Sequence, residues 1–149
     1  MVKYEVKTAA ESDIEVVLAL RFEMLGVVNE GAEFDEAFRR RTRDYFTSGK
    51  QTTVLAYCSG EAVGCATICY LTVMPTYSHQ TGNRAHIMNV YVRKEHRRQG
   101  LARKMMEVLL DEAKSRGVTS VTLDSTESGK PLYKALGFSG SEEYMELNY

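Results

Sequence analysis

Seventeen consecutive residues, Ile87 to Arg103, constrain this chain more than any other stretch: they pass from an apolar strand through a basic turn into an amphipathic helix. Ile, Met, Val, Tyr and Val fill five of the six places from Ile87 to Val92, a composition that suits a buried strand. Past Gly100, Leu101, Met105, Leu109 and Ala113 recur on one helical face, joined by Ala102, Met106 and Leu110. A helix start carries partial positive charge and ordinarily attracts Asp or Glu. Here Arg97, Arg98, Arg103 and Lys104 crowd it, with Arg93 and Lys94 just upstream. Six of the 19 Lys and Arg thus stand within twelve residues, against one acid, Glu95. Such a cluster repels itself unless an anion docks, and free amides at a helix start with Gly at the closest approach suit a phosphate. A solvated basic turn is the competing account of the charge alone.

Other phosphate-binding patterns fit worse. Gly100 stands alone, without the GxGxxG of a dinucleotide fold. No Gly lies at the P-loop distance before Gly129-Lys130, and Pro131 takes the place of the Ser or Thr. Instead, Arg97-Arg98-Gln99-Gly100-Leu101-Ala102 resembles motif A of the GCN5-related N-acetyltransferases (GNAT), Arg/Gln-x-x-Gly-x-Gly/Ala after a strand, at every fixed position. The resemblance implies that the turn from Arg97 to Arg103 holds the pyrophosphate of acetyl-CoA, the co-substrate, through its loop amides.

At 149 residues the chain reads as one domain, 1–149, with 44% hydrophobic and 26% charged residues, as in an ordinary soluble globule. A net charge of -1 argues against nucleic-acid binding through global charge, so the basic cluster is local. No apolar run has the length of a membrane span and no signal-peptide core opens the chain, so a cytoplasmic protein with no membrane partner is expected. Cys58, Cys65 and Cys69 lack zinc-ligand spacing to the histidines and read as free thiols within strands, with no metal site.

Taken in order, Tyr4 to Lys7 reads as a strand. Ser12-x-x-Glu15 reads as a capping box before a helix with Ile14, Leu18, Phe22 and Leu25 on one face, ended by Gly26. Phe34, Ala37, Phe38, Arg41 and Tyr45 predict a second helix closed by Gly49, and the link from Val28 to Ala32 reads as a lid. The run Arg39-Arg40-Arg41 with Arg43 is most simply a solvated face, with acidic-substrate binding as the alternative. Thr52–Tyr57 and Ala62–Leu71 form a hairpin about Ser59-Gly60, and 74–84 is a loop whose Tyr77 and His79 are candidates for a substrate mouth. Beyond the central strand and helix come a strand at Val118–Ser125, a short helix at Lys130–Leu136 and a closing strand at Glu143–Asn148.

That order is mixed α/β, and it resembles the GNAT order: a central mixed, mostly antiparallel sheet flanked by about four helices. Pro131 to Phe138 looks like the family's motif B, a Leu-Tyr pair followed after three residues by Gly-Phe. Thr126 and Gly129 stand where the family often has Asn and Ala, a departure at the contacts to the CoA arm.

Acyl transfer requires a polarised thioester carbonyl, a neutral amine and a proton for the departing thiolate. By the resemblance, backbone amides of the strand through Asn89, chiefly Val90, Tyr91 and Val92, polarise the carbonyl. Tyr133, in the place of the motif B tyrosine, supplies the proton, a phenol of ordinary pKa about 10 being a suitable donor. The family's carboxylate base falls fourteen positions before the motif A glycine, and here that place holds His86. An imidazole can take an amine proton at neutral pH. Glu23, Glu30 and Asp124 are rivals, and a satisfied structural histidine is the plain alternative. Asn89, polar within an apolar strand, either orients substrate or pins a bulge. The sequence thus predicts an acetyl-CoA-dependent N-acetyltransferase acting on a small-molecule or peptide amine by direct attack in a ternary complex, with a homodimer allowed. A non-catalytic acyl-CoA-binding or regulatory domain on the same fold is the alternative.

Overall fold

A computed structural model describes residues 2–149. Five strands form one sheet in sequence order: β1 (Tyr4–Thr8), β2 (Gln51–Cys58), β3 (Glu61–Thr72), β4 (Asn83–Val92) and β5 (Ser120–Leu123). Neighbours pair antiparallel except β4 and β5, which are parallel. A parallel neighbour demands a crossover, and the helix α3 (Leu101–Ser115) supplies it. Helices α1 (Ile14–Val28) and α2 (Glu36–Phe46) connect β1 to β2, and α4 (Lys130–Ala135) follows β5.

The α3 stripe legible in the sequence is the one that is buried. Leu101, Met105, Met106, Leu109 and Ala113 pack on Val54, Ala66, Ile68, Ala85 and Ile87. Each large side chain among them contributes about 1.5–3 kcal/mol of hydrophobic stabilisation. On the other face, Val17 and Leu20 of α1 pack on Leu55 and Cys65. The sheet is therefore covered on both sides, and β4 takes its place between the two layers.

Four expectations need correction. The reciprocal bond at the entry to α1 is made by Asp13, whose carboxylate accepts from the Ala10 amide at 2.8 Å, and not by Ser12 and Glu15. Glu15 instead pairs with Arg43 at 2.6 Å, tying α1 to α2. Gly26 does not end α1, which continues to Val28. One helical Gly costs only about 1 kcal/mol, and the stop is made by Asn29, whose side chain and backbone N–H both donate to the Leu25 carbonyl. Strand β4 begins at Asn83, four residues before Ile87, so Asn83 and Arg84 belong to the strand rather than to the 74–84 loop, and His86 lies inside it. Glu143–Asn148 forms no strand. Strand composition supplies no partner for the backbone, and Tyr144, Met145 and Leu147 are left exposed.

The 29–32 link is an exposed turn closed by a bond from the Ala32 amide to the Asn29 carbonyl. Cys65 is buried, Cys58 and Cys69 are half-buried, and all three are free thiols. Among the described residues no helix is long and apolar enough to cross a membrane.

Candidate active site

Strands β4 and β5 pair only from Arg84 opposite Ser120 to Ile87 opposite Leu123. There β5 stops, while β4 runs on to Val92. The two parallel strands therefore part company midway along the sheet. The parting coincides with a bulge. Thr67 of β3 faces Met88, but Cys65 faces Tyr91, so Ala66 spans both Asn89 and Val90. Asn89 carries the bulge at φ 62°, a left-handed conformation that Asn tolerates better than most residues. It is buried, and three of its polar atoms are engaged. Its side-chain amide donates to Thr67 Oγ1 at 3.1 Å, its side-chain oxygen accepts from Arg21 at 3.3 Å, and its carbonyl accepts from Cys65 Sγ at 3.4 Å. The geometry shows Asn89 pinning a bulge. Beyond the bulge, the Arg93 amide donates to the Val63 carbonyl of β3. Strand amides alternate in direction, so the Val92 amide points the other way, into the gap.

The turn after β4 is anchored by charge. Arg93 makes a two-pronged contact with Glu23 at 2.9 and 3.0 Å and a third bond to Glu61 at 3.0 Å. Tyr91 also donates to Glu23, at 2.8 Å. These bonds, led by that from Arg93, hold the Glu23 carboxyl below its ordinary range, while burial, with Glu23 adding to it, pushes the Tyr91 phenol up to about 12. Arg93 and Glu23 are thus ion-pair partners that tie the end of β4 to α1. Arg97 reaches back to the Val92 carbonyl at 2.9 Å, and Arg103 pairs with Glu107 at 2.9 Å. Among the described residues, Lys94, Arg98 and Lys104 have no acidic partner within ion-pair distance.

The backbone of the turn is shaped for an anion. Arg98 (φ 62°) and Gly100 (φ 75°) are left-handed, and Gly100 leads directly into the right-handed α3. Such alternation turns successive N–H groups toward one concavity. The first bond of α3 runs from the Lys104 amide to the Gly100 carbonyl, leaving the amides of Leu101, Ala102 and Arg103 without helical partners. A Cβ at Gly100 would meet nothing within 4 Å, so glycine is required there for its φ and for open approach, not for packing within the chain.

Tyr133 and His86 line one cavity of about 640 Å3 beside β5 and α4. Tyr133 is half-buried against the core that also takes Val90 and Val92. Its ring meets Phe138 edge-on at 6.1 Å, and burial raises the pKa of its phenol. Gly129 accounts for one departure from the family pattern: a Cβ there would lie 2.9 Å from the Tyr133 ring. Thr126 caps the same turn, its hydroxyl accepting from the Gly129 amide at 3.3 Å. His86 has Nδ1 2.7 Å from Thr122 Oγ1 and Nε2 3.6 Å from Asp124. Glu30 lies in the exposed link after α1, away from this cavity.

A second cavity, of about 420 Å3, lies across β4 under α1 and α2. Its floor is Thr67, Cys69, Met88 and Asn89, and its wall includes Arg21 and Arg41. Met88 and His86, two residues apart on β4, share a sheet face. The two cavities therefore flank the same few residues before the bulge. Tyr77 and His79 line neither; His79 pairs with Thr119 at 3.0 Å. Sequence reasoning missed the Arg21–Asn89 and Glu23–Arg93 contacts. The one local signal was an Asn inside an apolar strand, the residue type that tolerates a left-handed bulge.

Comparison with known proteins accords with this geometry. The model of the Acetyltransferase (GNAT) family matches residues 18–138. The glucosamine 6-phosphate N-acetyltransferase of Trypanosoma brucei brucei is 31% identical, the match covering 99% of this chain and 97% of that protein. The crystal structure of a predicted acetyltransferase from Clostridium acetobutylicum with acetyl-CoA superposes with a TM-score of 0.84 at 28% identity, over 99% of this chain and 96% of that one. A GCN5-related N-acetyltransferase from Ralstonia eutropha shares the fold, with a TM-score of 0.81 at 24% identity over 98% and 99% of the two chains.

Proposed function

The chain belongs to the GNAT acetyltransferase family, and from that premise we propose that it moves acetyl from acetyl-CoA to a primary amine by direct attack within a ternary complex. The observation that carries the reading is the opening of β4 from β5 at the Asn89 bulge, leading straight to a turn with free helix-start amides. A thioester arm fits the gap between two strands, and a pyrophosphate fits the concavity at Leu101 to Arg103, twelve to fourteen residues past the bulge. We take the whole of 1–149 as one domain performing this reaction.

Acetyl-CoA supplies an acyl group activated as a thioester; the chain supplies position and charge. The amides of Leu101, Ala102 and Arg103 bind the pyrophosphate, with Arg97, Arg98 and Gln99 around it and Gly100 leaving room for its approach. Backbone N–H groups of β4 past the bulge, chiefly that of Val92, which faces the gap, stabilise negative charge developing on the carbonyl oxygen, while the Tyr91 amide faces β3. As the amine nitrogen bonds to the acyl carbon and the C–S bond breaks, Tyr133 donates its phenolic proton to the departing sulfur. Burial raises the phenol's pKa and so keeps that proton in place beforehand. His86, steadied by Thr122 and Asp124, accepts the proton the amine loses.

The decisive experiment is a screen of amine classes with acetyl-CoA, reading free CoA with a thiol reagent. Two relatives are named for glucosamine 6-phosphate, which makes that amine the first to try. Amine-dependent CoA release supports the reading; acetyl-CoA binding with no release from any amine class contradicts it. For the base, His86→Ala should remove one limb of the pH–rate profile with acetyl-CoA affinity retained. An unchanged profile returns His86 to a structural role.

A further inference from the structure

We propose that the acceptor carries an anionic group, phosphate or carboxylate, beside its amine, and that Arg21 and Arg41 bind that group in the cavity under α1 and α2. The inference rests on the reading above, in which the amine meets the acyl carbon at the β4 bulge that floors this cavity. Its support is the way charge is settled elsewhere in the chain. Arg93, partly buried, has its charge met by two carboxylates. On α2, Arg40 pairs with Glu36, Arg43 pairs with Glu15, and Arg39 stacks on Phe22 at 4.5 Å. Arg41 has none of these among the described residues, and it is the member of the run that lines the cavity.

Arg21 is the stronger case. It is half-buried, and its one hydrogen-bonding partner among the described residues is neutral, the side-chain oxygen of Asn89 at 3.3 Å. Burial makes its charge costly to hold, as the lowering of its pKa records. A guanidinium withdrawn from water ordinarily has a carboxylate beside it. No Asp or Glu lines this cavity. The chain thus presents two uncompensated cations to a cavity of about 420 Å3. An acceptor whose only charge is its ammonium would be repelled there, whereas one bearing an anion would give half-buried Arg21 the partner it lacks, with the exposed Arg41 beside it. The same cations depress the pKa of a neighbouring ammonium, which raises the neutral fraction that can attack.

The test pairs each anionic amine with its uncharged counterpart, with kcat/KM read as CoA release. Glucosamine 6-phosphate against glucosamine examines a phosphate, and alanine against alaninamide examines a carboxylate. The anionic member of at least one pair should be preferred tenfold or more, mainly through KM, and the pair with the larger ratio identifies the anion. Arg41→Gln, which breaks no hydrogen bond or ion pair among the described residues, should bring that ratio near one, as should Arg21→Gln. Arg21→Lys should keep part of it. A preference for the uncharged members, or a ratio untouched by both Gln variants, overturns the proposal. If no amine releases CoA, the transfer reading fails on its own, and binding still decides this one. Calorimetry of glucose 6-phosphate and of acetate into the CoA-saturated protein, whose basic turn is filled, should show binding of one that Arg41→Gln abolishes. Absence of binding by either anion overturns it.

Discussion

Tyr133 is the residue at which chemistry and packing separate most cleanly. Its ring packs on Phe138 and on the core, and its hydroxyl is the group assigned to protonate the leaving thiolate. Tyr133→Phe keeps the first and deletes the second. Turnover should fall about 10²-fold, the lower end for general acid–base catalysis, because a thiolate already leaves fairly well. Melting temperature and acetyl-CoA affinity should stay near the parental values; parental turnover would make the phenol a packing group only. Glu23 tests a structural role instead. Hydrogen bonding from Arg93 holds its carboxyl below the ordinary 4.5. A carboxyl so depressed stabilises the fold above about pH 4.5, and that contribution fades as the pH falls through the folded value. Glu23 is one-third exposed, which screens the pair. Glu23→Gln should therefore cost about 1 kcal/mol at pH 7 by urea unfolding, with the gap to the parent closing in acid. A gap that widened in acid would contradict the assigned direction.

Strand β4 is the element on which the site depends, and its bulge is where the sequence pattern and the structure diverge. Val suits the apolar pattern from Ile87 to Val92 better than Asn does, yet the left-handed φ at position 89 excludes a β-branched residue at ordinary cost. Asn89→Val should destabilise the fold by about 1–3 kcal/mol and cut acetyl transfer more than it cuts stability, since straightening the strand would close the gap to β5. Asn89→Gly admits the same φ but loses the bonds to Thr67 and Arg21. It should retain more activity than the Val variant. Equal activity in the two, measured as CoA release at a temperature where both are folded, would remove the bulge from the mechanism.

At the scale of the molecule, acetyl-CoA bound across β4, the turn, α3 and α4 would link elements that are far apart in the chain. At a hundredfold excess over Kd it should add about 2.7 kcal/mol to stability, or a rise of roughly 5–10 °C in Tm for a chain of this size. Gly100→Asp places a carboxylate at the phosphate approach, where a Cβ meets nothing in the protein itself. It should weaken acetyl-CoA at least tenfold by calorimetry and shrink the thermal shift, while Tm without ligand stays near the parent's. A parental shift in that variant would move the phosphate site elsewhere. What the sequence determined by itself was whatever a few neighbouring residues decide: the α3 stripe from Leu101 to Ala113, the glycine at its start, the helix around Tyr133, and through these the family. Such features need only periodicity or a single backbone conformation. The tertiary structure decided the rest. Asn89 has its partners 22 and 68 residues away, at Thr67 and Arg21, and Arg93 finds Glu23 at a separation of 70. The expected strand at Glu143–Asn148 lacked a neighbour to pair with. Bulges, ion pairs and strand pairing need partners brought together by the fold, and no local pattern names them.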